Sequence, residues 1–531
     1  MKRLSAVLVL ALVAGCSKCG RERPAGASGQ PVERVLPAGA VGVVIVPSLA
    51  SAGQKLKLVE ALKVTGFAAQ LQGFGDGKAL ADALISEVGI DVRSAEALEQ
   101  AGVDGARPAA VAALITGNLY LALPVKDPQK FHGVVEQLAH RRLGAGALAE
   151  QKSGEVTVKT FSSRQGQPPK LGYVLAHGYA LLTDGPSVGR LAGLAAMPET
   201  DSLASDRHYM AQLKQLPAER DVVVYLPPGT PALATAPFTS ATGAITLNAA
   251  GLSVLVNATW KGDPAELAML QPQPNARALV GYLPADAFLV ARYSGDPARL
   301  APWVRGVLGK YLVRAFDEGG FDLKTQVLEQ LQPGSVAALS LSERPPMDKG
   351  MPAFDIHQTN PFSYAHLSGV VAAKSGDVAL PALEKVAALA PRFGATMELR
   401  TRAEDGQKAM VTTWAQGEGV HFAPKGELLF FGSPIQRLDA LVKSDGKAES
   451  PVKPLGDDAL AVAIDLTKLA ASVRALPDSA WGIGGFAIKA TTVRWLDATD
   501  DLKGVSLSVG AKDKTVQARL QLTLGGAAKA P

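Results

Sequence analysis

Cysteine is nearly absent from this 531-residue chain: it occurs twice, at positions 16 and 19, and never again. Everything after Cys19 therefore lacks both a disulfide framework and a cysteine-based metal site. Aromatic residues make up only 5% of the chain, too few to suggest the stacking platforms on which bases are read. Charge of one sign is not in excess either. The formal net charge is +5, falling to +3 without Lys2 and Arg3, so the basic face that nucleic-acid binding needs is missing. Long apolar runs are missing too. A membrane-spanning helix needs roughly 20 apolar residues, whereas the run at 4–13 has ten. What is present is an ordinary globular composition, 47% hydrophobic and 19% charged, enough for a large core. A chain of this length points to two or more domains.

The N-terminus reads as an address. Met1-Lys2-Arg3 is a positive n-region, and LSAVLVLALV after it is a signal-peptide h-region. Val13-Ala14-Gly15-Cys16 follows directly and resembles the lipobox of bacterial lipoproteins. That resemblance implies a signal peptide at 1–15, cleavage before Cys16, and lipidation of Cys16 on its sulfur. Each buried methylene contributes about 0.8 kcal/mol, and one acyl chain binds only marginally, so the two or three chains of a lipoprotein make a lasting anchor. In families where the residue after the cysteine sorts the product, Ser17 rather than Asp points to the outer membrane facing the periplasm, with the cell surface as the alternative. Cys19 reads as an incidental thiol. Residues 17–34 (SKCGRERPAGASGQPVER) are polar and rich in Gly and Pro, and so form a flexible tether reaching about 60 Å when extended.

The body reads as two copies of one unit. Leu36-Pro37-Ala38-Gly39-Ala40 leads into a strand-like run at 41–46, and Leu283-Pro284-Ala285-Asp286-Ala287 into another at 288–293. Matches follow in the same order: 111–114 with 336–339, a helix at 127–140 with one at 376–390, 222–226 with 459–464, and 251–256 with 504–509. The expected organisation is a lipidated tether at 16–34, a first unit at 35–262, a linker at 263–278, a second unit at 279–525 and a tail at 526–531. Phe131, Val134, Val135 and Leu138 make one apolar helix face, and Pro297 suits a first helical turn. Val516, Ala518, Leu520, Leu522 and Leu524 alternate with polar residues, as in a sheet buried on one side. The fold class expected is α+β: two tandem units, each a mainly antiparallel sheet with helices packed on one face.

Motifs that suggest chemistry are few. Gly185-Pro186-Ser187-Val188-Gly189 matches a nucleophile elbow with His208 as a possible base. An elbow belongs to a parallel α/β sheet, however, and the equivalent turn at Gly432-Ser433-Pro434 loses the motif; a helix cap at Ser187 is the simpler reading. Gly73-Phe74-Gly75-Asp76-Gly77-Lys78 resembles a phosphate loop but has Gln72 and Ala79 where that loop needs Gly and Ser/Thr. The histidines at 132, 140, 177, 208, 357, 366 and 421 have no metal-ligand spacing. Asp497, Asp500 and Asp501 lack the frame of a calcium loop. No metal and no cofactor are expected. The second copy carries an extra stretch at 343–363. There Met347, Met351, Phe354, His357 and Phe362, with Tyr364 just beyond, read either as an adaptable contact loop for an envelope protein partner or as a disordered insertion.

The Leu-Pro-Ala-x-Ala lead-in at Leu36 and Leu283 is similar to the opening of an uncharacterised family of bacterial envelope proteins. The resemblance implies no activity and no catalytic residues. The function expected is a non-catalytic, lipid-anchored binding or scaffold protein. The alternatives are a carrier of lipid or another apolar ligand, which requires a closed cavity of several hundred Å³, and an esterase-like hydrolase at Ser187.

Overall fold

A computed structural model describes residues 30–525, apart from 116, 145–146, 249, 343–363, 377–378, 390, 392–394, 402–407, 415–416, 453–455 and 482–484. Cys16 and residues 17–29 of the expected tether lie outside that range, and its end is corrected: Val32 is buried in the first unit's core and Arg34 Nη1 donates to the Met197 carbonyl at 2.9 Å, so the body begins before residue 35. The described residues divide into two compact units. The first runs to Gly262 and also holds Thr523 and Leu524, and the second runs from Asp263 to Leu522. Both are α+β.

The first unit opens with a 3-10 turn, Val32–Val35, and β1 (Gly42–Val46). Helices α1 (Leu49–Glu60), α2 (Lys63–Leu71), α3 (Gly77–Val88) and α4 (Ala95–Gln100) precede β2 (Ala109–Ala113) and β3 (Leu119–Pro124). Then come α5 (Pro128–Leu143), β4 (Ala147–Ser153), β5 (Val156–Ser162), β6 (Leu171–Ala176) and β7 (Tyr179–Asp184). Short helices α6 (Leu191–Ala195) and α7 (Arg207–Leu213) lead to β8 (Val222–Leu226), β9 (Phe238–Asn248) and β10 (Gly251–Trp260). Local chemistry sets the helix ends. Asp127 accepts from the Gln129 and Lys130 amides, Pro128 fills the first turn, and His140, Arg141 and Arg142 sit at the negative end of α5.

The strands pair antiparallel in the order β10-β9-β8-β1-β2-β3-β7-β6-β5-β4. Alternation sends Tyr179 and Leu181 to one face, Ala180 and Leu182 to the other. The first face packs with Tyr120, Leu191 and Tyr209, under α6 and α7. The second packs with Leu98, Phe131 and Val135, under α4 and α5. Helices thus cover both faces, not one as the closing strand's alternation suggested. β6, buried at Leu171, Gly172, Tyr173 and Val174 in succession, carries this two-sided burial in its sequence.

The second unit contains β11 (Leu289–Tyr293), α8 (Ala301–Glu318), α9 (Leu323–Gln326), β12 (Leu331–Leu341), β13 (Ala365–Ala373) and α10 (Ala379–Leu389). There follow β14 (Ala395–Thr401), β15 (Lys408–Trp414), β16 (Gly417–Glu418), β17 (His421–Lys425), β18 (Leu428–Ser433) and α11 (Ile435–Lys443). It ends with β19 (Leu460–Asp465), α12 (Leu466–Ala475), α13 (Gly485–Ala498), β20 (Leu502–Lys512) and β21 (Thr515–Leu524). Its order is β20-β19-β11-β12-β13-β18-β17-β15-β14. Val290, Val336, Val370 and Phe430 form the core beneath Leu438 and Leu441 of α11. The stretch expected as a linker, 263–278, belongs to this unit: Gln273 donates its amide to Ser294, Arg277 to Pro333, and the Met269 carbonyl accepts from Tyr293.

The two ladders run in the same register. With Leu36 matched to Leu283, Val44 corresponds to Ala291. Val44 pairs with Val111 and Val224, Ala291 with Ala337 and Val462. Following partners outward equates Leu121, Leu182 and Tyr173 with Gly369, Phe431 and Phe422. On the other side it equates Gly243 with Leu507, each the sixth residue of an 11-residue strand. Two sequence matches are corrected by this. Val111 corresponds to Ala337, one residue on from the sequence pairing, and 504–509 lies on β20, the counterpart of β9 rather than of β10. Alanine-rich strands hold too little side-chain information to fix register locally.

Candidate functional site

One difference between the units in sequence lies at the end of the second unit's sheet where β12 leaves and β13 returns. Met347, Met351, Phe354, His357 and Phe362 lie outside the described residues. Tyr364 is described, and it corrects the expectation of a contact residue. Its side chain is buried among Leu341, Leu469, Val473, Leu476, Trp481 and Leu496, where it anchors the start of β13.

A charged cluster brackets the same connection. Asp286, the acid of the second Leu-Pro-Ala opening, takes a two-pronged ion pair from Arg437 of α11; one prong, Nη1 to Oδ1, is 2.9 Å. Ser340 Oγ donates to Asp286 Oδ1 at 3.2 Å, and Arg437 Nε donates to His366 Nδ1 at 3.1 Å. Ser340 and His366 are buried, whereas the Asp286 side chain is 49% exposed. Burial opposes the charge on Asp286, but the Arg437 guanidinium and the Ser340 hydroxyl outweigh it and hold the carboxyl below its ordinary value. The cluster ties the entry to β11, the end of β12, the start of β13 and α11 together. In the first unit the register places Gly39, Leu114 and Asn118 where Asp286, Ser340 and His366 stand. The sequence marked the Gly39/Asp286 difference but offered no sign of Arg437 as partner, 151 residues away.

The second elaboration is the helical pair between β19 and β20. In the first unit the corresponding connection, 227–237, holds only a short 3-10 turn, Pro231–Leu233. Here Asp465 caps α12 through the Lys468 amide at 2.9 Å. Leu496 of α13 packs inward against Val473 and Trp481. The outer side of α13 carries Ile488 and Trp495, 55% and 51% exposed.

Other candidates resolve into structure. Ser187 lies in a 3-10 turn, Gly185–Arg190, with no accessible surface, its hydroxyl facing Tyr120. The flanking strands are antiparallel, and His208 Nε2 meets Ser240 Oγ at 3.0 Å instead. A fully buried hydroxyl cannot reach an ester carbonyl, so the nucleophile-elbow alternative is corrected. In the phosphate-loop look-alike, Asp76 caps α3 through the Ala79 amide at 2.7 Å. Among the histidines, His132 bonds the Tyr173 hydroxyl, His140 the Gly144 carbonyl, and buried His421 accepts from the Thr412 amide. His177 sits in a turn at φ 54°; burial, then the Arg34 charge, lowers its pKa. Asp497 pairs with Arg474 at 2.5 Å. Among the described residues, no group of His, Cys, Asp and Glu is arranged to hold a metal ion, and no helix is long and apolar enough to cross a membrane. A cleft at Arg305, Phe316, Asp317, Phe321 and Leu323 measures ≈ 10 Å³, room for about one water.

The fold and these features define a two-unit α+β protein with one elaborated sheet end. Residues 104–296, from the approach to β2 through β11, match a family model described as a protein of unknown function (DUF3352). Among solved structures, crystal forms IV, III and I of the Treponema protein TP0453 share 12%, 11% and 13% identity with this chain. Each match covers 44% of this chain and 81% of that one, at TM-scores of 0.25, 0.26 and 0.25. Likenesses this loose transfer nothing to the present chain. No curated protein matches it.

Proposed function

We propose that this chain is a lipid-anchored protein of the bacterial cell envelope that binds or scaffolds a partner rather than transforming a substrate. The observation that carries the reading is Val13-Ala14-Gly15-Cys16, placed directly after a positive start and a ten-residue apolar run. The anchor gives the body a fixed membrane and, through residues 17–31, a reach of about 50 Å. The two units are tandem copies of one ancestor, a reading supported by their shared strand order and register. The second copy is the one specialised for contact, because the Asp286–Arg437 cluster and the α12–α13 pair both lie there. Ser17 favours the outer membrane, facing the periplasm.

Metabolic labelling with a radioactive fatty acid tests the anchor. The native chain should take up label and fractionate with the outer membrane, and Cys16→Ser should take up no label. A labelled Cys16→Ser protein overturns the reading. Pull-downs with and without residues 343–363 test the contact role, and unchanged capture assigns the partner surface elsewhere.

A further inference from the structure

We infer that α13 is a second point of membrane contact, its outer stripe lying in the headgroup layer of an anionic bilayer. The inference deepens the anchored reading and rests on it only for which membrane is touched. Four observations support it.

First, α12 and α13 are not needed to close the sheet. The first unit makes the same connection with residues 227–237, and β8 pairs with β9 in the register in which β19 pairs with β20. Second, α13 has two apolar sides. The inner one, at Leu496, packs on Val473 and Trp481 and holds the helix in place. The outer one carries Ile488 and Trp495 one heptad apart, each with about half of its surface open to solvent.

Third, the polar groups on the outer stripe are already satisfied. Thr491 Oγ1 donates to the Ala487 carbonyl at 2.8 Å and Thr492 Oγ1 to Ile488 at 2.9 Å. These back-bonded threonines present methyls and carry little desolvation cost into an apolar layer. Fourth, the remaining charge suits anionic headgroups. Lys489 is held by Asp478 and Asp497 by Arg474, while exposed Arg494 forms no ion pair among the described residues. Tryptophan beside an arginine on an amphipathic helix is the composition of an interfacial contact.

Area favours a bilayer over a protein partner. A stable protein interface takes about 800 Å² per side, and an aromatic side chain offers about 150–250 Å² when wholly buried. Two large side chains on one helix fall short of the first figure, whereas a lipid surface sets no such minimum.

The test uses the chain from residue 16 onward carrying Cys16→Ser, so that no acyl chain contributes. It is mixed with vesicles of phosphatidylethanolamine and phosphatidylglycerol, or of phosphatidylcholine alone. Co-sedimentation with the anionic vesicles is expected, with tryptophan fluorescence quenched by brominated lipid. Ile488→Ser with Trp495→Ser should weaken binding about tenfold or more, as expected for two partly buried apolar side chains. The circular dichroism spectrum should keep its native form, and the melt should shift by far less than for a buried side chain, because both residues are about half exposed. Ile115→Ser, at an apolar side chain 76% exposed in the first unit, is the control for general stickiness. Three results overturn the inference: no binding to anionic vesicles, equal binding by the double variant, or an equal loss with Ile115→Ser. An envelope protein that shields Trp495 while vesicles leave it unquenched overturns it too. Fatty-acid labelling of the native chain is scored separately, so loss of the anchor and loss of this contact remain distinguishable.

Discussion

Lys55 of α1 and Asp221 at the foot of β8 form an ion pair almost sealed from water, their side chains 3% and 12% exposed. The other Asp221 oxygen accepts from the Leu247 amide at 3.0 Å. One carboxylate thus joins a helix on the second face of the sheet to two strands. In the second unit, buried Ala459 takes the place of Asp221. Removing one partner strands a buried charge, so Asp221→Ala should cost about 3–5 kcal/mol. Lys55→Met with Asp221→Ala should cost less than the two single changes added. Denaturant unfolding of the four chains measures this, and a cost below about 1 kcal/mol for Asp221→Ala would mean the pair is solvated.

Two helical glycines should respond in opposite directions to the same change. A Cβ at Gly53 would sit 1.6 Å from the Val92 carbonyl oxygen, whereas at Gly133 it would meet nothing within 4 Å. Alanine gains about 1 kcal/mol over glycine inside a helix. Gly133→Ala should therefore raise the melting temperature. Gly53→Ala should lower stability by about 2 kcal/mol or more, because displaced backbone outweighs propensity.

Asp286 makes part of the second unit's stability depend on pH. Its folded pKa lies below the ordinary carboxylate value, so the unfolded chain binds the proton first as pH falls. The Arg437 pair's contribution is fully present above about pH 4 and is lost as pH drops through the lowered folded value. With the side chain half exposed, the effect should stay within about 1 kcal/mol. Unfolding titrations of the native chain and Asp286→Asn should converge in acid and separate above about pH 4; a constant gap would contradict the assignment.

Tyr364 should behave as core. Tyr364→Ala should cost about 3 kcal/mol by removing a large buried side chain, and Tyr364→Phe should cost about 1 kcal/mol or less. A partner-contact residue would show the reverse pattern, with little change in stability and lost capture.

Ser187 should be chemically silent. A fluorophosphonate probe should leave the folded chain unlabelled there, and Ser187→Ala should stay within about 1 kcal/mol of the parent. Stoichiometric labelling of Ser187 would restore the hydrolase reading.

What the sequence revealed was set by range. Phe131, Val135 and Leu138 are buried as their spacing predicts, with Val134 half-buried, because a helix face is decided within two turns. Strand alternation at Val516–Leu524 reports its own strand and carries no information about helices packed elsewhere, which is why two-sided coverage was missed. Alanine strands such as β2 left the register free to slip by one residue. The Asp286–Arg437 pair was hidden for another reason: its members share no local pattern and meet only after β11, β13 and β18 are assembled. Tyr364 borders a polar insertion and was read with it, although its neighbours in space come from α12 and α13.

The placing of β1 has a consequence in time. Val44 lies between Val111 and Val224, so the first strand of the sheet lacks one neighbour until almost the whole unit has been made. β11 waits in the same way for β19. Pairings this distant slow folding, because the loop must close before the contact is gained. A half-synthesised unit presents an unpaired, valine-rich central strand, the kind of edge on which chains aggregate. Each unit can become compact only after β8 or β19 has emerged, so whatever handles the growing chain must keep it apart from other chains until then.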